Sequence, residues 1–197
     1  MPLLTTPGDV AEYSYLQIRC RPRPLRAVKL LGYEAVYSHT ADDYDCLLCR
    51  GVRGETGLAT LVHHSDVVAR NDLVVASICP YFFGKNPGHV IVVPTEHFEN
   101  LYVMPARYLH ACVDVAQTVA LAMKEAYGAA GITLRQNNEP AGGQTAFHFH
   151  LHVYPRYPDD GFEEHPGEYL VEPAERAGWA QRLRESYRPL DESTAVR

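Results

Sequence analysis

Gln144-Thr145-Ala146-Phe147-His148-Phe149-His150-Leu151-His152-Val153-Tyr154-Pro155 is the stretch on which the reading of this chain turns. Successive side chains of an extended strand point to opposite faces. Alternation from His148 to Val153 therefore predicts three imidazoles, His148, His150 and His152, on one face and Phe149, Leu151 and Val153 on the other, against a core. A half-exposed strand with three solvent-facing histidines is the plainest alternative, but it has no use for the Gly142-Gly143-Gln144-Thr145 just upstream. A second alternative makes all three ligands of one metal. Neighbours on one face of a strand are roughly 6.6 Å apart, so the outer pair would be about 13 Å apart. Nitrogens held at about 2.1 Å from an ion lie within about 4 Å of one another. Phosphorus chemistry uses the row better. One neutral imidazole attacks, a neighbour hydrogen-bonds a non-bridging oxygen, and loop N–H groups and Gln144 stabilise the developing charge. With an ordinary pKa near 6.5, histidine is largely a free nucleophile at neutral pH.

Working outward, two apolar stretches, 58–62 and 73–78, flank the turn-forming Arg70-Asn71-Asp72 and read as antiparallel strands. After the loop 84–88, the run His89-Val90-Ile91-Val92-Val93 stops at Pro94, as a short central strand does. From Pro105 the period changes. Leu109, Cys112, Val113, Ala116, Val119, Ala120, Met123 and Tyr127 recur at spacings of three and four, which predicts a long helix begun by Pro105 and ended by Gly128 and Gly131. Strands over 132–136 and about 145–155 follow, joined by Asn137-Asn138-Glu139-Pro140-Ala141-Gly142-Gly143. This is an α+β chain. It divides into an N-terminal extension, 1–45, rich in Pro, Arg and Tyr and without period; a domain, 46–157; and a tail, 158–197, acidic at first and then helical around 174–187.

The 197 residues, 46% of them hydrophobic, suffice for one core. Against 24 acidic residues stand 18 Lys and Arg, and no block of like charge marks a partner such as long nucleic acid. There is no basic segment followed by an apolar one at the start and no run long enough to span a membrane, so a cytoplasmic location is expected. Five cysteines, an odd number, argue against a disulfide framework. The Cys46-Leu47-Leu48-Cys49 spacing lets one turn present two thiolates to zinc, or else marks two buried cysteines. The remaining histidines, His39, His63, His64, His110 and His165, fit no pattern.

Gln144-Thr145 followed by His148-Phe149-His150-Leu151-His152-Val153-Tyr154 resembles the signature of the histidine triad (HIT) family, His-φ-His-φ-His-φ-φ with φ hydrophobic. Asn86-Pro87-Gly88-His89-Val90-Ile91-Val92-Val93-Pro94 and His97-Phe98-Glu99-Asn100-Leu101 resemble that family's upstream strand and the turn after it, and 137–143 resembles its phosphate loop. The likeness runs from about Cys46 to Tyr157. It implies an antiparallel sheet of about five strands with a long helix packed on it, the sheet extended across a homodimer. It implies that His150 is the nucleophile, that His152 binds phosphate, that Gln144 and Thr145 contact phosphate or leaving group, and that His89, Asn86, Asn137 and Gly143 lie about the substrate. Some bacterial members complete a similar cysteine pair with two histidines, which fall here on His97 and His148. The resemblance thus implies a structural zinc on Cys46, Cys49, His97 and His148.

One position departs from the pattern. Family members that bind adenosine nucleotides place Asp or Asn near the ribose, eight residues before the histidine matched by His89, where this chain has Tyr81. Tyr81, Phe82 and Phe83 stack on a base, line an apolar pocket, or pack in the core, and Asn86 or Asn71 is the available substitute for ribose recognition. The leading expectation is a hydrolase or nucleotidyltransferase of a small nucleotide-type substrate, working through a covalent nucleotidyl-histidine on His150. The rivals are a specialised biosynthetic transferase, a non-catalytic nucleotide-binding regulator, and a hydrolase with metal on the triad.

Overall fold

Valine-rich runs flanked by turn residues become the strands, and the long three-and-four repeat becomes the helix that covers them. The computed structural model describes residues 26–30, 33–55, 63–164 and 167–189. In chain order, β1 (Arg26–Leu30) and β2 (Tyr33–Ser38) form an antiparallel ribbon, and α1 (Leu47–Val52) is a short helix. Next come β3 (Val67–Arg70), β4 (Val74–Ile78), β5 (Tyr81–Phe83) and β6 (Val90–Pro94). The long helix α2 (Ala106–Tyr127) precedes β7 (Gly131–Arg135) and β8 (Leu151–Arg156), and β9 (Glu168–Leu170) and α3 (Pro173–Ser186) close the described chain.

Strands β3, β4, β6, β8 and β7 form, in that order, one antiparallel five-stranded sheet. The helix runs where the repeat places it, with Pro105 as its N-cap and Gly128 in the left-handed region at its C-cap. Its face of Cys112, Ala116, Val119 and Met123 packs on Val74, Ala76, Val90, Val92 and Val153. Val113, assigned to the same stripe in the sequence, is instead 55% exposed.

The opposite face of the sheet carries Val75, Ile91 and Val93, packed with Val52, Cys79 and the partly buried Leu48 and Tyr81. Both faces of β4 and β6 are therefore buried, which is why β6 is an apolar run and β4 is broken only by the small Ser77, with no alternation in either.

Three features depart from expectation. The strand before the Arg70-Asn71-Asp72 turn is Val67–Arg70, while 58–62 lies outside the described residues. Tyr81–Phe83 is itself a strand, paired with β9 from the tail. And regular β8 begins only at Leu151. Its predicted first half is bent loop, because the side chains and carbonyls around it take up its amides: Phe147 N–H donates to the Tyr44 hydroxyl (3.1 Å) and Phe149 N–H to the Phe98 carbonyl.

The tail is packed into the core. Ala180 and Leu183 of α3 are fully buried in the main cluster, and the Arg176 guanidinium lies 3.5 Å from the Asp66 carboxylate, both nearly inaccessible. Gly88, at φ +80°, sits beneath Tyr127 and Trp179, where a Cβ would fall 2.6 Å from the Tyr127 ring and 2.9 Å from the indole. Only glycine permits both that backbone and that contact.

Candidate active site and metal centre

The bend ahead of β8 divides the three histidines between two sites. His148 is fully buried. Its Nε2 lies 3.2 Å from the Pro94 carbonyl, which can only accept, so Nε2 carries the hydrogen and the Nδ1 lone pair faces the Cys46 and Cys49 sulfurs at 3.4 and 3.3 Å. The His97 Nδ1 is 3.3 Å from Cys49 Sγ. One donor atom from each of these four residues lies within 4.8 Å of all the others. That is a Cys2His2 donor set of the kind that encloses a tetrahedral cation. Helix α1 supplies the geometry: Cys46 is its N-cap, and its sulfur accepts from the Cys49 N–H. The four residues read from sequence as metal ligands are therefore those that the fold brings together.

His150 and His152 face elsewhere, their rings 4.7 Å apart. Both line a cavity of about 430 Å³ on the sheet face opposite α2, together with Tyr81, Asn137, Gly143 and Thr145. The His150 Nδ1 donates to the His148 carbonyl at 2.7 Å, so the lone pair of the neutral ring is on Nε2. Burial, only partly offset by this bond, pushes the pKa of His150 down. The ring is uncharged at neutral pH. Behind it runs a chain of fixed polarity. His89 Nδ1 donates to the Tyr81 carbonyl (3.1 Å), leaving His89 Nε2 to accept from His152 Nδ1 at 2.8 Å. Burial pushes His89 down to about 3, so it stays neutral in this role. Burial first, then the neighbouring His150, His89 and Arg135, pushes His152 well down too.

Several expected residues stand elsewhere. His89 is buried behind His152 and does not reach the cavity. Asn86, expected at the substrate, is wholly buried and donates to the Pro155 carbonyl (2.7 Å) and the Asp160 carboxylate (2.8 Å), which also binds Arg156. It cannot stand in for a ribose ligand. Gln144, expected to stabilise charge, is buried and holds the loop: its Oε1 accepts from Glu139 N–H, and its Nε2 donates to the Glu99 and Ala146 carbonyls.

The amides of Gly142, Gly143 and Gln144 are likewise engaged within the loop. The amides of Thr145 and Ala146, two residues that line the cavity, have no backbone acceptor among the described residues. The loop still matters for shape, since Gly143 adopts φ +83° beside Asn137.

Two charged cavity residues were not foreseen, Arg135 and Glu168. Arg135 lay in plain view on an expected strand, but only the register, which pairs it with His152, shows where it points. Glu168 arrives through the β5–β9 pairing, a long-range contact with no local signal.

Comparison with known proteins agrees with this geometry. The HIT domain model matches residues 60–159, about half of the chain, and the chain belongs to that family. "Protein hit" of Bacillus subtilis is 29% identical over 129 residues, covering 63% of this chain and 79% of the relative. Adenylylsulfatase HINT3 of Arabidopsis thaliana is 28% identical over 115 residues, covering 57% of this chain and 52% of that protein. The crystal structure of a zinc-bound histidine triad family protein from Mycobacterium smegmatis superposes with a TM-score of 0.59 at 25% identity, covering 72% of this chain and 92% of that one. Among the described residues, no helix is long and apolar enough to cross a membrane.

Proposed function

We propose that this protein is a nucleotide hydrolase or nucleotidyltransferase in which His150 Nε2 attacks the α-phosphorus of a small nucleotide-type substrate. The observation that carries this reading is the 2.7 Å bond from His150 Nδ1 to the His148 carbonyl, which leaves the lone pair on Nε2 of a neutral ring that lines the cavity. A new N–P bond forms as the bond to the leaving group breaks, and water or another acceptor then cleaves the phosphoramidate. Thr145, the adjacent amides and Asn137 surround the phosphate, while Leu47, Leu48, Cys79 and Tyr81 offer an apolar seat for the rest of the nucleotide. A relative named as an adenylylsulfatase supports nucleotidyl chemistry.

Zinc belongs to the same proposal. Held by Cys46, Cys49, His97 and His148, it would clamp α1 to the sheet and fix the segment leading to His150, a structural rather than a chemical task.

Brief incubation with adenosine 5′-phosphoramidate, diadenosine triphosphate and adenylyl sulfate, followed by intact-mass measurement, tests the reading. Wild type should gain the mass of a nucleotidyl group, His150→Ala should not, and turnover should fall by about 10⁴-fold or more. Equal turnover by the two proteins would overturn it. Retained nucleotide binding with no turnover by wild type would instead favour the regulatory reading.

A further inference from the structure

The sheet register gives the cavity a direction. His152 on β8 is flanked by Ile91 on β6 and by Arg135 on β7, neighbours about 4.8 Å away on either side. All three line the cavity. On the Ile91 side the wall is apolar, since Ile91 packs with Cys79, Leu48 and Tyr81. On the Arg135 side the chain runs on from β7 to Asn137, whose Nδ2 donates to the Gly143 carbonyl (3.3 Å), and both residues line the cavity. Among the described residues lining the cavity, Arg135 is the only Lys or Arg. It is partly buried, and among the described residues its guanidinium has neither an ion pair nor a hydrogen bond. Glu168, the one carboxylate among the described lining residues, enters from β9 opposite Phe83. An arginine at a cavity wall with no carboxylate paired to it is a site for an anion, and its planar fork matches phosphate or sulfate oxygens in pairs.

Resting on the nucleotidyl-transfer reading, we infer that Arg135 is a specificity-determining residue that binds an anionic leaving group, and that the natural substrate is therefore a phosphoanhydride or mixed phosphate–sulfate anhydride rather than a phosphoramidate. The nucleoside occupies the apolar half of the cavity, the phosphorus lies over His150 and His152, and the departing group extends toward β7. As the His150 Nε2 lone pair forms the N–P bond, the P–O bond breaks and its electron pair stays on the leaving oxygen. When that oxygen belongs to a phosphate or sulfate, the charge needs no proton and the guanidinium neutralises it directly. An amine leaving group instead needs a proton, which an arginine does not give up.

The experiment compares kcat/KM of the full-length protein for diadenosine triphosphate and adenosine 5′-phosphoramidate. The ratio of anhydride to phosphoramidate should fall by about 10- to 100-fold in Arg135→Ala and Arg135→Gln, with partial recovery in Arg135→Lys. Phosphoramidate turnover above the His150→Ala background shows that the variants are folded. A ratio unchanged within about threefold, including equal loss on both substrates, would overturn the inference and leave the covalent reading standing. If wild type cleaves neither compound, or if His150→Ala cleaves both as well as wild type does, the reading beneath it fails too.

Discussion

The tautomers of His150 and His152 are fixed by the hydrogen bonds behind them. Backbone carbonyls of His148 and Tyr81 set the donors on His150 and His89, and His89 in turn sets His152. The weak point is His89, which does not line the cavity yet holds the only acceptor for the His152 Nδ1–H among the described residues. His89→Phe keeps the ring volume and removes that acceptor. Leaving a buried donor unmet costs about 1–3 kcal/mol. On the proposed mechanism the expected result is a kcat lowered by about tenfold with KM changed less than about threefold, because His152 is misaligned while the apolar wall of the cavity is intact. Steady-state kinetics check this. An unchanged kcat would show that His152 needs no orienting partner.

At the level of elements, α1 is too short, at six residues, to be stable alone. Its buried Val52, the bond from Arg70 to the Val52 carbonyl (2.8 Å) and the Cys2His2 cluster hold it to the sheet. Leu47 and Leu48 beside the cluster line the cavity, so the Cys2His2 cluster and the cavity wall share one helix. Metal analysis of the isolated protein should therefore find about one zinc per chain. Removing it with a chelator, or replacing Cys49 by Ser, should lower Tm by about 5–10 °C, roughly 2–3 kcal/mol for a chain of this size. Cys112→Ser, on the buried face of α2, should leave the metal content unchanged. A metal-free wild type of undiminished Tm would remove the structural role.

For the whole molecule, the tail is the unexpected contributor. Residues beyond the family-matched segment supply β9, which extends β5 and places Glu168 at the cavity, and α3, whose Leu183 is fully buried against the main core. Trp179 closes over Gly88, and Tyr127 donates its hydroxyl hydrogen to the Trp179 carbonyl (2.8 Å). Leu183→Ala should accordingly behave as a core truncation, costing about 2–5 kcal/mol and lowering Tm by roughly 5–15 °C. Thermal denaturation followed by circular dichroism reads this directly. A shift below about 2 °C would mean that α3 is only loosely docked.

The sequence alone determined the α+β class and the limits of α2 to within a residue, and the family resemblance named the four residues that the fold groups as Cys2His2. Hydrophobic period and capping residues act locally, and the metal-site spacing came with a recognisable motif. It misjudged the three histidines as one row. A strand's alternation holds only while the strand is regular, and the bend that separates His148 from His150 is made by Tyr44 and Phe98, residues distant in sequence. Asn86 and Gln144 were expected at the substrate because both fall within stretches that resemble the family's motifs. Tertiary structure decided that both are buried, Gln144 bonded to backbone groups and Asn86 to the Pro155 carbonyl and the Asp160 carboxylate. Arg135 and Glu168 entered the cavity through strand register and a long-range pairing, and neither is written in any local stretch of residues.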